Sequence, residues 1–256
     1  MTTTTTSRPP ITQNGLKPVI WYSLLTLAVV AAAYATRDFD WKVVWDSRLF
    51  LARGLGVSWL IAIAGILIGM VFGIAFAVAR KYQLGPIRWI AIAYIEIVRA
   101  TPHLMIFLWV YFVYPEVTGE WISPGAASVV SLSVIASAYL AEVIRAGLDS
   151  VDRLQLESGY ATGLGPLTIF TYIVLPQALR NMVPALVATF VMIFKITTFV
   201  HVLGMIDFFS AVTIVNTRDL APYALYTIMA IVYFLCCWAL STFIHWLDPK
   251  YTLMTN

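Results

Sequence analysis

Charge is scarce in this chain of 256 residues: Asp, Glu, Lys and Arg together make up 11% of it, against 61% hydrophobic residues. An ordinary soluble domain carries about 25% charged residues, so most of this surface belongs in lipid and a soluble globular protein is excluded. Cysteine is almost missing as well. Cys236 and Cys237 stand side by side in an apolar run, a spacing that fits neither a disulfide framework nor a zinc site, and they read as buried thiols. The three histidines, His103, His201 and His245, are separated by whole spans or loops and form no metal set. Neither H-E-x-x-H nor G-x-S-x-G occurs, which argues against a membrane protease or other metalloenzyme. There is no G-x-x-x-x-G-K-[ST] either, so the chain has no loop of its own for a nucleotide's phosphates. A formal charge of +3, spread thinly along the sequence, excludes a nucleic-acid partner.

Long apolar stretches are what the chain has instead. The first residues, "MTTTTTSRPPITQNG", are Thr- and Pro-rich without apolar periodicity and read as a flexible cytoplasmic tail over 1–18. An apolar helix is expected next, over 19–36. Its "AYA" ending mimics a signal-peptidase site, but the long tail before it favours a helix that is retained. Five further stretches follow at Leu55–Ala79, Trp89–Tyr114, Ala126–Ala146, Ala178–Val200 and Pro222–Trp246. Each is near or above the roughly 20 residues that cross the hydrocarbon as a helix. The expectation is an all-α integral membrane protein of about six transmembrane helices. Gly65, Gly69 and Gly73, four apart, give one of these helices a smooth face for close packing.

Positive charge sets the orientation. With six spans and a cytoplasmic N-terminus, the cytoplasmic segments hold Arg8, Lys17, Arg80, Lys81, Arg88, Arg145, Arg153, Arg180 and Lys250. The other side holds Arg37, Lys42, Arg48, Arg53 and Arg218, diluted by seven acids that include Asp38, Asp40, Asp46, Glu116 and Glu120. Both termini are then cytoplasmic, with a short tail over 249–256, and so is the mixed stretch "LESGYATGLGPLTIFTYIVLP" (Leu156–Pro176). Ser150 is a plausible helix N-cap, and the short helix after it ends at Gly163. Pro166 restarts a helix in its first turn, and Pro176 is expected as a kink or break. Leu154, Leu156, Leu164, Leu167, Ile169 and Phe170 make the stretch too apolar for a free loop, so a partner protein is expected against it.

That stretch resembles the cytoplasmic loop of ATP-binding-cassette importer permeases, whose pattern is E-A-A, three residues, G, nine residues, I, one residue, L-P. Glu157, Gly163, Ile173, Leu175 and Pro176 fall on this frame without a gap. Ser158 and Gly159 replace the two alanines, and Gly159 is expected to loosen the helix by up to about 1 kcal/mol relative to Ala. Further segments, "AYIEIVRATPHLMIFLWVYFVYP" (Ala93–Pro115), "SAYLAEVIRAGLDSV" and "LPQALRNMVPAL", are similar to segments of the polar amino-acid (histidine/glutamine-type) branch. The resemblance implies a type I importer-permease core of five helices over 51–248, with the coupling loop at 148–177 and one additional N-terminal helix. It implies a bacterial inner-membrane protein, not itself an enzyme and without a cofactor. ATP and Mg would be bound by a separate ABC ATPase dimer. A periplasmic or surface amino-acid-binding protein would deliver the substrate, and a second permease subunit would complete the path. The ATPase-coupling residues so implied are Glu157, Ser158, Gly159, Gly163, Leu164 and Pro176.

Ionisable residues within apolar runs are costly and therefore informative. Glu96 and Arg99, three apart beside Thr101-Pro102, read as an internal ion pair that fixes a bent helix, or else as residues of the substrate path. Glu142 and Arg145 have the same spacing and read as structural. Lys195 matches the lysine of the family's "KDTSL" segment, with Ile196 in place of the aspartate. Lys195, Thr197 and Thr198 either line the path or, for the lysine, snorkel to the outer interface. The missing acid inclines the reading toward a non-identical sister permease rather than a homodimer. Readings from other classes are a stand-alone secondary transporter or channel and a membrane scaffold. The first would need internal repeats or mid-span coupling carboxylates, which the sequence does not offer.

Overall fold

The computed structural model describes residues 36–82 and 85–247. The expected tail over 1–18, the additional helix over 19–36 except for Thr36, and the tail over 249–256 lie outside the described residues. Among the described residues all regular structure is helical. A short helix α1 (Trp41–Asp46) leads into α2 (Arg48–Lys81), an unbroken 34-residue helix. No proline interrupts it, and Arg80 and Lys81 in its last turn meet the negative end of the helix dipole.

Helix α5 (Pro124–Asp149) lies along α2 and shares more of its length than any other helix does. Ser123 caps it by accepting from the Ala126 N–H at 3.2 Å, with Pro124 in the first turn. The glycine face of α2 is where the two meet. A Cβ added at Gly65 or Gly69 would lie 2.6 Å from the Cβ of Leu132 or Ala136, and one at Gly73 would lie 3.0 Å from that of Leu140. The sequence expectation of close packing is thus realised within the chain, backbone nearly against backbone.

Between α2 and α5 the chain makes one bent pair, α3 (Gly85–Ala100) and α4 (His103–Thr118), which turn through 110° at Thr101-Pro102. Pro102 has no N–H to continue the ladder and disfavours helical backbone at the residue before it. Thr101 closes α3 instead, donating both its N–H (3.0 Å) and its hydroxyl (2.7 Å) to the Ile97 carbonyl. The apolar stretch expected as one bent helix is therefore two helices with a sharp corner.

After the short α6 (Arg153–Ala161), α7 (Pro166–Leu203) runs for 38 residues. It starts well before the apolar run expected over 178–200. Pro176 does not break it; the turn Phe170–Val174 widens to π geometry immediately ahead of Leu175-Pro176. A proline ring clashes with the carbonyl four residues back, and one surplus residue in the turn removes that conflict. The Ile173 carbonyl accepts from Gln177 Nε2 at 2.9 Å. The same device recurs in α4, where the π turn Trp109–Val113 stands just ahead of Tyr114-Pro115. Helix α7 tightens to 3-10 geometry over Thr197–Leu203 and ends at Gly204, whose φ of 80° suits glycine.

Helix α8 (Phe208–Asp219) is capped by the buried Asp207, which accepts from the N–H groups of Phe209 (3.3 Å) and Ser210 (2.9 Å). The Phe208 N–H donates to Ser58 Oγ on α2 at 3.1 Å. Helix α9 (Pro222–Leu247) closes the bundle against α7 and α8. Among the described residues four helices are long and apolar enough to cross a membrane, and the bent pair, taken as one span, makes a fifth. These are the five stretches expected after the N-terminal helix.

Candidate functional site

The loop between α5 and α7 is rigidly built. Ser150, expected as an N-cap, instead ends α5: its hydroxyl donates to the Gly147 carbonyl at 2.7 Å and accepts from Asn181 Nδ2 at 2.8 Å. The cap of α6 is Asp152, which accepts from the Leu154 N–H at 3.0 Å. Both residue types cap well, and Asn181, far along α7, is what engages Ser150 elsewhere. At its other end α6 stops at Gly163 with φ of 81°. The Leu164 N–H returns to the Gly159 carbonyl (3.1 Å) and the Gly163 N–H to that of Tyr160 (3.0 Å). This pairing satisfies the last carbonyls and requires the left-handed residue that glycine supplies.

Of the expected coupling residues, Gly159 is buried and the other five are exposed. Gly159 lies under α7: a Cβ there would come within 3.0 Å of Ile169 Cγ1 and 3.3 Å of Ile173 Cδ1. Glu157 points outward and has neither a hydrogen bond nor an ion pair among the described residues. Ser158 donates its hydroxyl to the Leu154 carbonyl at 2.7 Å. Beside them an apolar hollow of about 430 Å³ is lined by Leu154, Ser158, Gly159, Leu164 and Ile173. The inner side of the loop is anchored by Leu148, Val151, Ile169, Val174 and Met182, which bury one another beneath α6. An exposed carboxylate next to an open apolar hollow, on a helix braced from behind, is a surface suited to receive another protein.

Directly above the loop, charged side chains tie three helices together. Arg80 pairs with Glu142 at 2.8 Å and reaches Glu96 at 3.9 Å. Arg145 pairs with Glu142 in the expected i,i+3 fashion and with Asp149 at 2.7 Å, and Asp149 also takes Lys81 at 2.6 Å. The expected pair of Glu96 with Arg99 is not formed. Glu96 turns to Arg80 on α2, while the Arg99 guanidinium lies 5.6 Å from the ring centre of Tyr139, whose hydroxyl is 3.2 Å from His103 Nε2. The i,i+3 spacing allowed the pair, but a cation from another helix took the acid first.

Lys195 is exposed at the point where α7 tightens. Thr198 donates to its carbonyl at 2.9 Å, and the buried Thr197 donates to the Phe194 carbonyl at 2.8 Å. Of this trio Lys195 alone has a polar side chain with no hydrogen bond or ion pair among the described residues. No hydrogen bond or ion pair joins Lys195 to Glu96 or Arg99. Among the described residues no cluster of His, Cys, Asp or Glu could hold a metal.

Residues 65–253 match the family described as binding-protein-dependent transport system inner membrane component. The chain belongs to that family. The permease is 32% identical over 222 residues to the glutamate/aspartate import permease protein GltK of Escherichia coli, covering 83% of this chain and 98% of that one. It is 33% identical to the arginine transport system permease protein ArtQ of Bacillus subtilis, over 66% and 78% of the two chains. Among solved structures it is similar to the crystal structure of an amino acid ABC transporter with histidines, with a TM-score of 0.78 at 28% identity over 82% of this chain and 98% of that chain. The inward-facing MetNI methionine transporter, at 18% identity and a TM-score of 0.63, shares the fold over 81% of this chain and 97% of that chain. The all-α, type I permease architecture expected from the sequence is the one found. Two features of the permease were not anticipated. Arg80 as the partner of Glu96 left no local signal, but Asp207 immediately before "FFSAVTIV" carried an N-cap signature. Its burial pushes the carboxyl above the usual carboxylate range, against the opposing effect of the N–H groups it accepts from.

Proposed function

We propose that this permease is the membrane subunit of an ATP-driven importer of polar amino acids, and that α6 is its contact with a separate ATPase that binds ATP and Mg. The observation that carries the reading is Glu157, outward and unpaired on a helix braced at both ends, beside an open apolar hollow. The names of the relatives, which include glutamate/aspartate, arginine and glutamine permeases, support amino acids as the cargo. In this reading the loop over 148–177 lies in the cytoplasm with both termini, and the core over 51–248 forms half of the path. The other half belongs to a second permease, a non-identical sister, and a binding protein delivers the amino acid from the opposite side. Closure of the ATPase dimer pushes α6, and the rigid loop passes that motion to α5 and α7. Lys195 and Thr198 face the path, the lysine ammonium offering donors to a substrate carboxylate, with Glu96 and Arg99 nearer its inner end.

The test is uptake of radiolabelled amino acid by cells expressing the whole transporter. Glu157→Lys and Gly163→Pro should abolish uptake while the permease remains in the membrane at wild-type abundance. Normal uptake by both variants would sink the coupling role.

A further inference from the structure

A second cavity lies on the flank of α6 away from the apolar hollow, and the importer reading makes no use of it. It encloses about 440 Å³ between the last residues of α2 and α5, α6 and the start of α7. Its rim includes Lys81, Arg153 and Tyr160, and its floor is made by Leu156, Ile169 and Phe170. The charge of the rim is unbalanced. Asp149 is shared by Lys81 at 2.6 Å and Arg145 at 2.7 Å. The carboxylate next to Arg153, that of Asp152, is engaged as the helix cap. Arg153 itself has no ion pair or hydrogen bond among the described residues, so it is the uncompensated cation at the mouth.

The position of the cavity matters as much as its chemistry. Two membrane-length helices end at its mouth, at Lys81 and Asp149, and basic residues at the ends of spans meet lipid headgroups. Cations and a phenol over an apolar floor in that position match an anionic amphiphile: the head meets the rim and the chain covers the floor. A free phosphate would use the rim and leave the floor empty. We propose that this cavity binds one anionic phospholipid, its phosphate at Arg153 and Lys81 and its upper acyl carbons against Leu156, Ile169 and Phe170. The lipid would then sit as a wedge between the span ends and α6, supporting the helix from the membrane side.

The experiment uses the full chain in phosphatidylcholine nanodiscs doped with phosphatidylglycerol carrying a diazirine in its acyl chain. Adducts formed on illumination are mapped by mass spectrometry. Labelling should concentrate on residues 156–174 and exceed that from the matching phosphatidylcholine probe. Arg153→Gln should lower the yield there about fivefold, the effect of one basic residue at a lipid surface, while Arg218→Gln leaves it unchanged. Inorganic phosphate should not compete. Equal labelling by the two probes, or an unchanged yield in Arg153→Gln, overturns the proposal. Competition by phosphate would instead assign the rim to a soluble anion.

Discussion

Arg80, in the last turn of α2, places a guanidinium nitrogen 2.8 Å from the carboxylate of Glu142 on α5, 62 residues away. Around this contact Glu96, Arg145, Asp149 and Lys81 form a continuous charged girdle joining α2, α3 and α5. Both side chains of the central pair are about three-quarters buried, so neither is fully screened by solvent.

Removing one partner there should be felt across the girdle. Arg80→Gln leaves Glu142 with Arg145 alone and is expected to destabilise the protein by about 1–3 kcal/mol. Arg80→Gln/Glu142→Gln should recover part of that loss, because the largely buried Glu142 carboxylate is then neutral, while the exposed Glu96 is left to solvent. Thermal unfolding of the three variants in one detergent measures the coupling. A loss in the double variant equal to the sum of the two single losses would mean that the pair is not coupled.

The glycine face of α2 gives a contrast within one helix. Gly69→Ala should force α2 and α5 apart, since its Cβ would meet that of Ala136 at 2.6 Å, and is expected to cost about 1–3 kcal/mol. Gly56→Ala meets nothing within 4 Å and should be neutral or stabilising by up to about 1 kcal/mol. The two melting temperatures decide it.

Asp207 should make stability depend on pH with a definite sign. Burial raises its folded value above the ordinary 3.8. Its contribution is therefore complete below the unfolded value and is lost as pH rises through the folded one. Asp207→Asn keeps an acceptor for the Phe209 and Ser210 N–H groups and cannot ionise. It should match or exceed the wild type at neutral pH and flatten the slope above about pH 4. Asp207→Ala should lose about 1–2 kcal/mol at low pH, as a missing cap does, and less as pH rises through the folded value. Unfolding midpoints across a pH series check both.

In the coupling loop, Gly159→Ala sets two effects against each other. Helix propensity gains up to about 1 kcal/mol, but the new Cβ presses on the ends of Ile169 and Ile173. The net change in melting temperature should be small. Gly159→Leu has no such balance; it should lift α6 off α7 and reduce recovery of the ATPase in pull-downs with the permease. Full recovery of the ATPase by that variant would show that the seating of α6 is irrelevant to docking.

Much of this architecture was legible in the sequence because each feature had a local cause. Apolar length marked the spans, Thr101-Pro102 marked the corner, and Gly163 and Pro166 marked the two loop helices. What was not legible depended on distant partners. Ser150 and Asp152 are equivalent as caps until Asn181, thirty-one residues further on, engages one of them. Glu96 sits at the right spacing for Arg99, yet Arg80 arrives from another helix. Pro176 announced an irregularity, but the choice between a kink and a widened turn lay in the packing of α7.

The widened turn at Phe170–Val174 holds one residue more than the α-helical ladder requires. Each residue turns a helix by about 100°, so everything from Pro166 to Ile169 stands rotated by that much relative to an unbroken α7. The direction in which α6 faces is therefore a phase, set by the number of residues in one turn and not by their identity. Deleting a single residue there would preserve every side chain of α6 and still aim Glu157 somewhere else.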